Sequence, residues 1–213
     1  LQVKKFSFKN STFEEEPISI LNKLNQQAGQ LPYVAHIQPF ASKPGLIKAN
    51  EDVMGVVVKG VNSQFDFNRF SENMVSGRML NFNDSTDTKE VIISTRISQL
   101  LNLNLNDEII IYFMEEPVRV RKVEIVGLYE TGMEDFDEKI VLGDLKMVQK
   151  LNNWPEDLVG GFEIFLKDIK DIDKAYDHLD GEVLEPNLYL EKITDVFLEI
   201  FDWLKLLDKN VYI

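Results

Sequence analysis

The sequence predicts an α+β fold, and three observations carry that expectation. Runs of β-branched residues such as Val56-Val57-Val58 and Val91-Ile92-Ile93 alternate with stretches whose apolar residues recur at three- and four-residue steps. Apolar residues make up 44% of the 213-residue chain and charged residues 28%, the balance of a chain that buries a core. From about residue 62 the texture changes to short strands and turns, so the middle of the chain reads as a β-rich insertion.

Ser11 or Thr12 is placed to cap a first helix, with Glu14, Glu15 and Glu16 in its first turn and Pro17 where helix starts tolerate it. Ile18, Ile20, Leu21, Leu24 and Ala28 would form its apolar face, and Gly29 would end it. Residues 33–42 and 53–61 read as strands, with a turn or bulge at Lys43-Pro44-Gly45. Four further strands follow: one at Val91-Ile92-Ile93, then Glu108 to Met114, Val118 to Val126 and Lys139 to Leu142. Ser94 or Thr95 would cap a short helix through Leu101, after which Asn102, Asn104 and Asn106 suit left-handed loop positions. In strand 118–126 the apolar parity slips between Val120 and Val123, which predicts a bulge near Arg121-Lys122. A helix at about 144–151, a strand at 161–167 and a helix at about 171–180 come next. The clearest periodicity runs from Leu190 to about Lys209, where Ile193, Val196, Phe197, Ile200, Leu204 and Leu207 share one helical face.

Charge and motif content exclude several functions. Asp and Glu number 36 against 23 Lys and Arg, giving a net charge of −13 and a pI near 4.6. Such a surface repels nucleic-acid phosphates and does not favour docking on anionic lipid headgroups. Without cysteine the chain has no disulfide, thiolate nucleophile or Cys-zinc site, and its compartment stays open. The sequence contains no G-x-S-x-G elbow, H-E-x-x-H pair, P-loop or G-x-G-x-x-G turn. His36 and His178 are far apart in sequence and read as structural or surface groups, and Glu130, Glu134, Asp135, Asp137 and Glu138 read as a solvated acidic loop. Asn10-Ser11-Thr12 and Asn83-Asp84-Ser85 match the glycosylation sequon. The residues call for no catalytic centre, metal or cofactor. No run of about 18 apolar residues occurs. The abrupt start at Leu1-Gln2-Val3 and end at Val211-Tyr212-Ile213 read as those of a piece of a longer chain.

The order of several short strings is more informative. Val58-Lys59-Gly60-Val61 is followed by Val75-Ser76-Gly77-Arg78 and Lys89-Glu90-Val91-Ile92-Ile93-Ser94. Leu100-Leu101-Asn102-Leu103 with Asn106-Asp107, then Val126-Gly127 and Glu130-Thr131-Gly132, complete the series. From about Ile20 onward this series resembles the extracytoplasmic domain of MacB-like ABC transporter permeases, most closely the lipoprotein-releasing LolC/LolE type. Trp203, Leu204, Leu207 and Lys209-Asn210-Val211 resemble the amphipathic helix that leads into a membrane span there.

The resemblance implies a porter-like α/β subdomain from both chain ends, residues 1–61 and 155–213, and an inserted Sabre-like β-rich subdomain, residues 62–154. It places the parent protein in a bacterial inner membrane, with this domain on the periplasmic side. The implied partners are a separate cytoplasmic ABC ATPase subunit, a second permease subunit (identical or homologous) and a lipoprotein or its carrier. The domain itself would be non-catalytic, transmitting ATP-driven motion to amphipathic cargo. Phe113, Met114, Met133 and Phe136 are the candidate cargo or partner contacts, and Ile193, Phe197, Ile200, Trp203 and Leu204 the force-transmitting helix. Two departures stand out. Asn102 and Asn106 replace the family's loop glycines, and only Glu115-Glu116-Pro117 separates the strands where LolC-type subunits carry a long hook. The short loop favours a LolE-like, homodimeric or differently specialised permease. The alternatives are an FtsX-like domain that activates a cell-wall hydrolase, a MacB-like efflux permease domain, and a secreted enzyme holding a metal on the 130–138 carboxylates.

Overall fold

The computed structural model describes residues 1–6, 15–49, 52–83 and 86–196. Its frame is a mixed sheet of ten strands, accompanied by short helices, so the fold is mixed α/β with sheet dominant. The N-terminal third supplies β1 (Gln2–Lys5), β2 (Ile18–Ser19), β3 (Val34–Ala49) and β4 (Asp52–Val61). The middle supplies β5 (Met74–Gly77), β6 (Glu90–Ser94), β7 (Glu108–Phe113), β8 (Arg119–Tyr129) and β9 (Ile140–Asp144). The last part adds β10 (Leu158–Val159), β11 (Gly161–Leu166) and β12 (Leu188–Glu191). The main sheet runs β12-β1-β11-β3-β4-β9-β6-β8-β5, with β7 pairing β3 and β8, while β2 and β10 form a separate ribbon. One flank of the sheet thus comes from the two ends of the chain and the other from its middle. The long β3 joins them, pairing β11 over residues 34–40 and β4 over 41–49.

The helices are α1 (Lys23–Ala28), α2 (Phe67–Phe70), α3 (Thr95–Leu101), α4 (Glu134–Asp137), α5 (Leu145–Leu151), α6 (Ile172–His178) and α7 (Ile193–Val196). Ile97 and Leu101 of α3 and Leu145, Val148 and Leu151 of α5 are buried in the main core, each contributing about 1.5–3 kcal/mol. At Gly60 an added Cβ would lie 2.8 Å from the Leu145 Cα, so glycine permits α5 to rest directly on β4. A second cluster joins Val61, Leu80, Ile92, Val126, Tyr129 and Leu142 to the half-buried rings Phe65, Phe70, Phe82 and Phe136.

Several sequence expectations are met closely. Ser94 caps α3 by accepting the Ile97 N–H at 2.9 Å, and Asn102 ends it at φ 50°. Asn106 also has a positive φ, 68°, as does Asn153 at 56°, whereas Asn104 does not. Asp144 caps α5, and the 161–167 strand appears as β11.

Others are corrected. The first helix starts at Lys23 and not near residue 12, because Asn22 caps it through the Asn25 N–H at 2.8 Å. Ile18 is drawn into pairing with Val159, and Glu15 turns inward to accept the Ser42 N–H at 2.8 Å. Burial pushes the Glu15 carboxyl above its ordinary range. The proposed caps Ser11 and Thr12 lie outside the described residues. Lys43-Pro44-Gly45 is no turn: β3 runs through it in unbroken register with β4. The expected bulge at Arg121-Lys122 is absent, since β7 and β8 pair regularly from Glu108 to Phe113. Val118 and Val120 simply face solvent, and the register shift occurs at Val126, opposite the Val91–Ile92 step of β6. The helix at about 171–180 is present as expected, as α6, and runs on into a π turn, Leu179–Val183. In the C-terminal stretch, Leu190 belongs to β12 and pairs Val3, so the helix begins at Ile193.

Candidate functional site

Among the described residues, nothing packs over one face of the β4-β3-β7-β8 sheet, where several side chains are exposed. Strand registers set Val53, Lys48, Ile110 and Lys122 in one cross-strand row and Gly55, Leu46, Tyr112 and Val120 in the next. Val53, Ile110 and Val120 are exposed there, and the adjoining Met114 is 66% exposed. The opposite face of the same strands carries the buried Ile47, Ile109, Ile111 and Val123. Period-two alternation therefore gives these strands an apolar inner face and an outer face on which Val53, Ile110 and Val120 stand among the exposed Lys48 and Lys122. Exposed large apolar side chains gathered on one sheet face are a mark of interaction.

At one end of this face is a cleft of about 390 Å³ along β3 and β4, lined by Lys43, Pro44, Gly45, Leu46, Gly55, Val56, Val57, Met114 and Lys139. The Val57 N–H donates to the Lys139 carbonyl at 2.7 Å, which holds the Lys139 backbone beside β4. Lys139 Nζ is paired with Asp135 at 3.3 Å on the surface. The hairpin loop 114–118 is anchored, because Glu115 pairs with both Lys43 and Arg119, the latter at 3.0 Å. Arg119 in turn donates to the Lys150 and Leu151 carbonyls at 3.0 and 2.9 Å, capping the C-terminus of α5.

The expected contact residues separate into distinct environments. Phe113 is fully buried, packed so closely on β3 that a Cβ at Gly45 would come within 3.1 Å of its ring. A cargo contact needs an exposed side chain, and strand alternation turns this one inward. Met114, the next residue, is turned outward to the cleft. Met133 is half-buried at the start of α4, and Phe136 packs edge-on to Tyr129 with ring centroids 6.1 Å apart. Of the expected transmitting residues, Ile193 is 43% exposed, and Phe197, Ile200, Trp203 and Leu204 lie outside the described residues.

Sequence reasoning missed a polar network where three strands meet. Glu163 of β11 accepts from Lys59 of β4 at 2.5 Å and from Gln38 of β3 at 2.8 Å, and Gln38 accepts the Asp66 N–H at 2.9 Å. Burial alone would raise the Glu163 carboxyl, but Lys59, then Gln38, override it and hold the group below its usual range. The available signal was a single charge inside each apolar run, Glu163 in Gly161–Leu166 and Lys59 after Val56-Val57-Val58.

Tyr33, His36, His178 and Asp137 are engaged locally. Tyr33 Oη lies 2.8 Å from His178 Nδ1, and His36 Nε2 donates to the Gln64 carbonyl at 2.6 Å. The Asp137 carboxylate accepts from the Thr131 hydroxyl at 2.7 Å and from the Thr131 and Gly132 N–H groups at 3.1 Å. Among the described residues no three His, Asp or Glu side chains are grouped to hold a metal ion. Nor is any helix among them long and apolar enough to cross a membrane.

Comparisons with known proteins agree on one fold. The extracellular domain of the noncanonic ABC-type transporter YknZ from Gram-positive bacteria superposes with a TM-score of 0.57 at 13% identity, covering 90% of this chain and 98% of that one. The periplasmic region of MacB from Actinobacillus actinomycetemcomitans gives a TM-score of 0.58 at 12% identity, covering 94% and 91%. No curated protein sequence matches the chain significantly. The sequence profile of the MacB-like periplasmic core domain, however, matches residues 2–181. The chain therefore belongs to the MacB-like periplasmic core domain family, the periplasmic domain of membrane-anchored ABC transporter permeases.

Proposed function

We propose that this domain passes ATP-driven motion of the parent permease to a lipoprotein or other amphipathic cargo, as in the LolC/LolE type. The observation that carries this reading is the set of exposed apolar side chains Val53, Ile110 and Val120 on one sheet face beside the exposed Met114. In this reading the ATPase is a separate cytoplasmic subunit, the permease sits in a bacterial inner membrane, and an identical or homologous second subunit faces the first. Residues 1–61 and 155–213 form the porter-like subdomain and 62–154 the inserted one; the contribution of β1, β11 and β12 to one flank of the sheet supports that division. The helix begun at Ile193 transmits the motion.

The test is cargo release by the parent permease carrying Met114→Asp or Val120→Asp. Both side chains are exposed, so folding should survive. Release should fall several-fold at unchanged protein level; undiminished release would refute the reading.

A second reading, a MacB-like efflux or FtsX-like role, is favoured by the anchored hairpin. A loop tied down through Glu115 to Lys43 and Arg119 projects no hook toward a lipoprotein carrier. Pull-down with periplasmic proteins separates the readings, since a cell-wall hydrolase among the captured proteins supports the second and lipoproteins support the first.

A further inference from the structure

The cleft between β3 and β4 has a chemistry of its own. Its volume of about 390 Å³ is within the range of small-ligand sites, roughly 300–1,000 Å³. Proline and glycine keep its floor low. Above Gly55 there is room, since an added Cβ would meet only Leu46 Cδ2, at an ordinary contact distance of 3.9 Å. The walls are aliphatic, and the Met114 thioether at the rim is flexible enough to fold over an occupant.

Charge decides which occupant fits. The chain carries 36 acidic residues against 23 basic ones, yet the two charged residues at the cleft, Lys43 and Lys139, are both basic; strand alternation turns the buried Lys43 side chain to the inner face, which leaves Lys139. Lys43 is neutralised by Glu115. Among the described residues Lys139 Nζ pairs with Asp135, and the two side chains are 52% and 85% exposed. Such a surface pair is weak, so an arriving anion can exchange with Asp135.

We infer that the cleft binds a single-chain anionic amphiphile, with the alkyl chain along Pro44, Leu46, Gly55 and Val57 under Met114 and the anionic group on Lys139. The inference deepens the amphipathic-cargo reading and rests on it for its biological setting; the binding itself is a property of this chain.

The experiment is isothermal titration calorimetry of the 213-residue chain with dodecanoate below its micellar concentration, and with dodecyltrimethylammonium as the cationic counterpart. Gly55→Leu fills the cleft, Lys139→Glu reverses the charge at its rim, and Met114→Asp makes its wall polar. Ile169→Ala, an exposed position that does not line the cleft, is the control, and circular dichroism melts confirm that each variant folds. Dodecanoate should bind saturably, and each of the three cleft variants should weaken it about tenfold or more, as should replacing it with the cation. Absence of saturable binding, indifference to both Gly55→Leu and Met114→Asp, or equal affinity for the cation would overturn the inference. Cargo release by the parent permease with the same variants separates the two proposals. Cleft binding with release unaffected by Gly55→Leu and Met114→Asp leaves the cleft assigned and removes the cargo reading. No binding, with release lost in Met114→Asp, does the reverse.

Discussion

Lys59→Met is the most informative single perturbation of the fold, because it removes one partner from the junction of β11, β3 and β4. Glu163 would keep its bond from Gln38 at 2.8 Å but lose the ammonium 2.5 Å away. Breaking a fully buried pair costs about 3–5 kcal/mol. The two side chains retain 13% and 17% exposure, which admits some solvent and lowers the expected cost to about 2–3 kcal/mol. For a chain of this size that corresponds to a fall in melting temperature of roughly 4–12 °C. The double variant Lys59→Met/Glu163→Met removes both charges and should recover most of the loss, since an apolar replacement of a buried pair is often close to neutral. Urea denaturation with a constant m-value measures Lys59→Met, Glu163→Met and the double variant.

The pH dependence has a definite sign. In the native protein the Glu163 carboxyl is depressed, so its contribution is present above its unfolded pKa, about 4.3, and is lost as pH falls through the folded value. In Lys59→Met the largest depressing influence is gone, so burial outweighs what Gln38 and the N-terminal ammonium still contribute and raises the group. That variant should therefore gain stability relative to native as pH falls toward 4–5, by about 1 kcal/mol or more. A cost below about 1 kcal/mol for Lys59→Met, or single-variant costs that merely add in the double variant, would refute the coupling.

Three further outcomes are expected. Gly60→Ala should destabilise by about 1–3 kcal/mol in urea melts, because its Cβ meets Leu145 Cα and Val148 Cγ2 at 2.8 Å. Asn102→Ala should cost about 1 kcal/mol through its left-handed backbone, whereas Asn102→Gly should be nearly neutral by the same measurement. Ser94→Ala should cost about 1–2 kcal/mol, since the hydroxyl both caps α3 and donates to the Asp137 carbonyl.

What could be read from the sequence was local chemistry. The Ser94 cap, the asparagine turn at 102–106 and the apolar strands at 91–93 and 140–142 declare themselves through a few neighbouring residues. Long-range pairing was invisible, and it decided the failures. Ile18 has a good helical spacing to Leu21, yet pairing with Val159 makes it a strand residue. Pro44-Gly45 carries a turn signature, yet pairing with Val57 and Val56 keeps the strand extended. The parity of Val118 and Val120 implied a bulge only on the assumption that every valine is buried; both are exposed. The cleft was legible in part. Met114 stood next to a predicted loop, but Gly55 and Lys139 reach it through cross-strand neighbours far away in sequence. The family likeness reached further than composition because ordered strings of short motifs record those neighbours indirectly.

The central claim, that this domain moves with ATP turnover in the parent permease, can be tested with one spin label. The chain has no cysteine, so Met114→Cys introduces the domain's sole labelling site, at an exposed position beside the cleft. With the parent permease reconstituted with its ATPase, and any native cysteines elsewhere removed, electron double resonance reads the distance between paired copies of the label. The distribution should shift between the nucleotide-free and ATP-trapped states. A distribution that stays the same while ATP is hydrolysed would contradict the account.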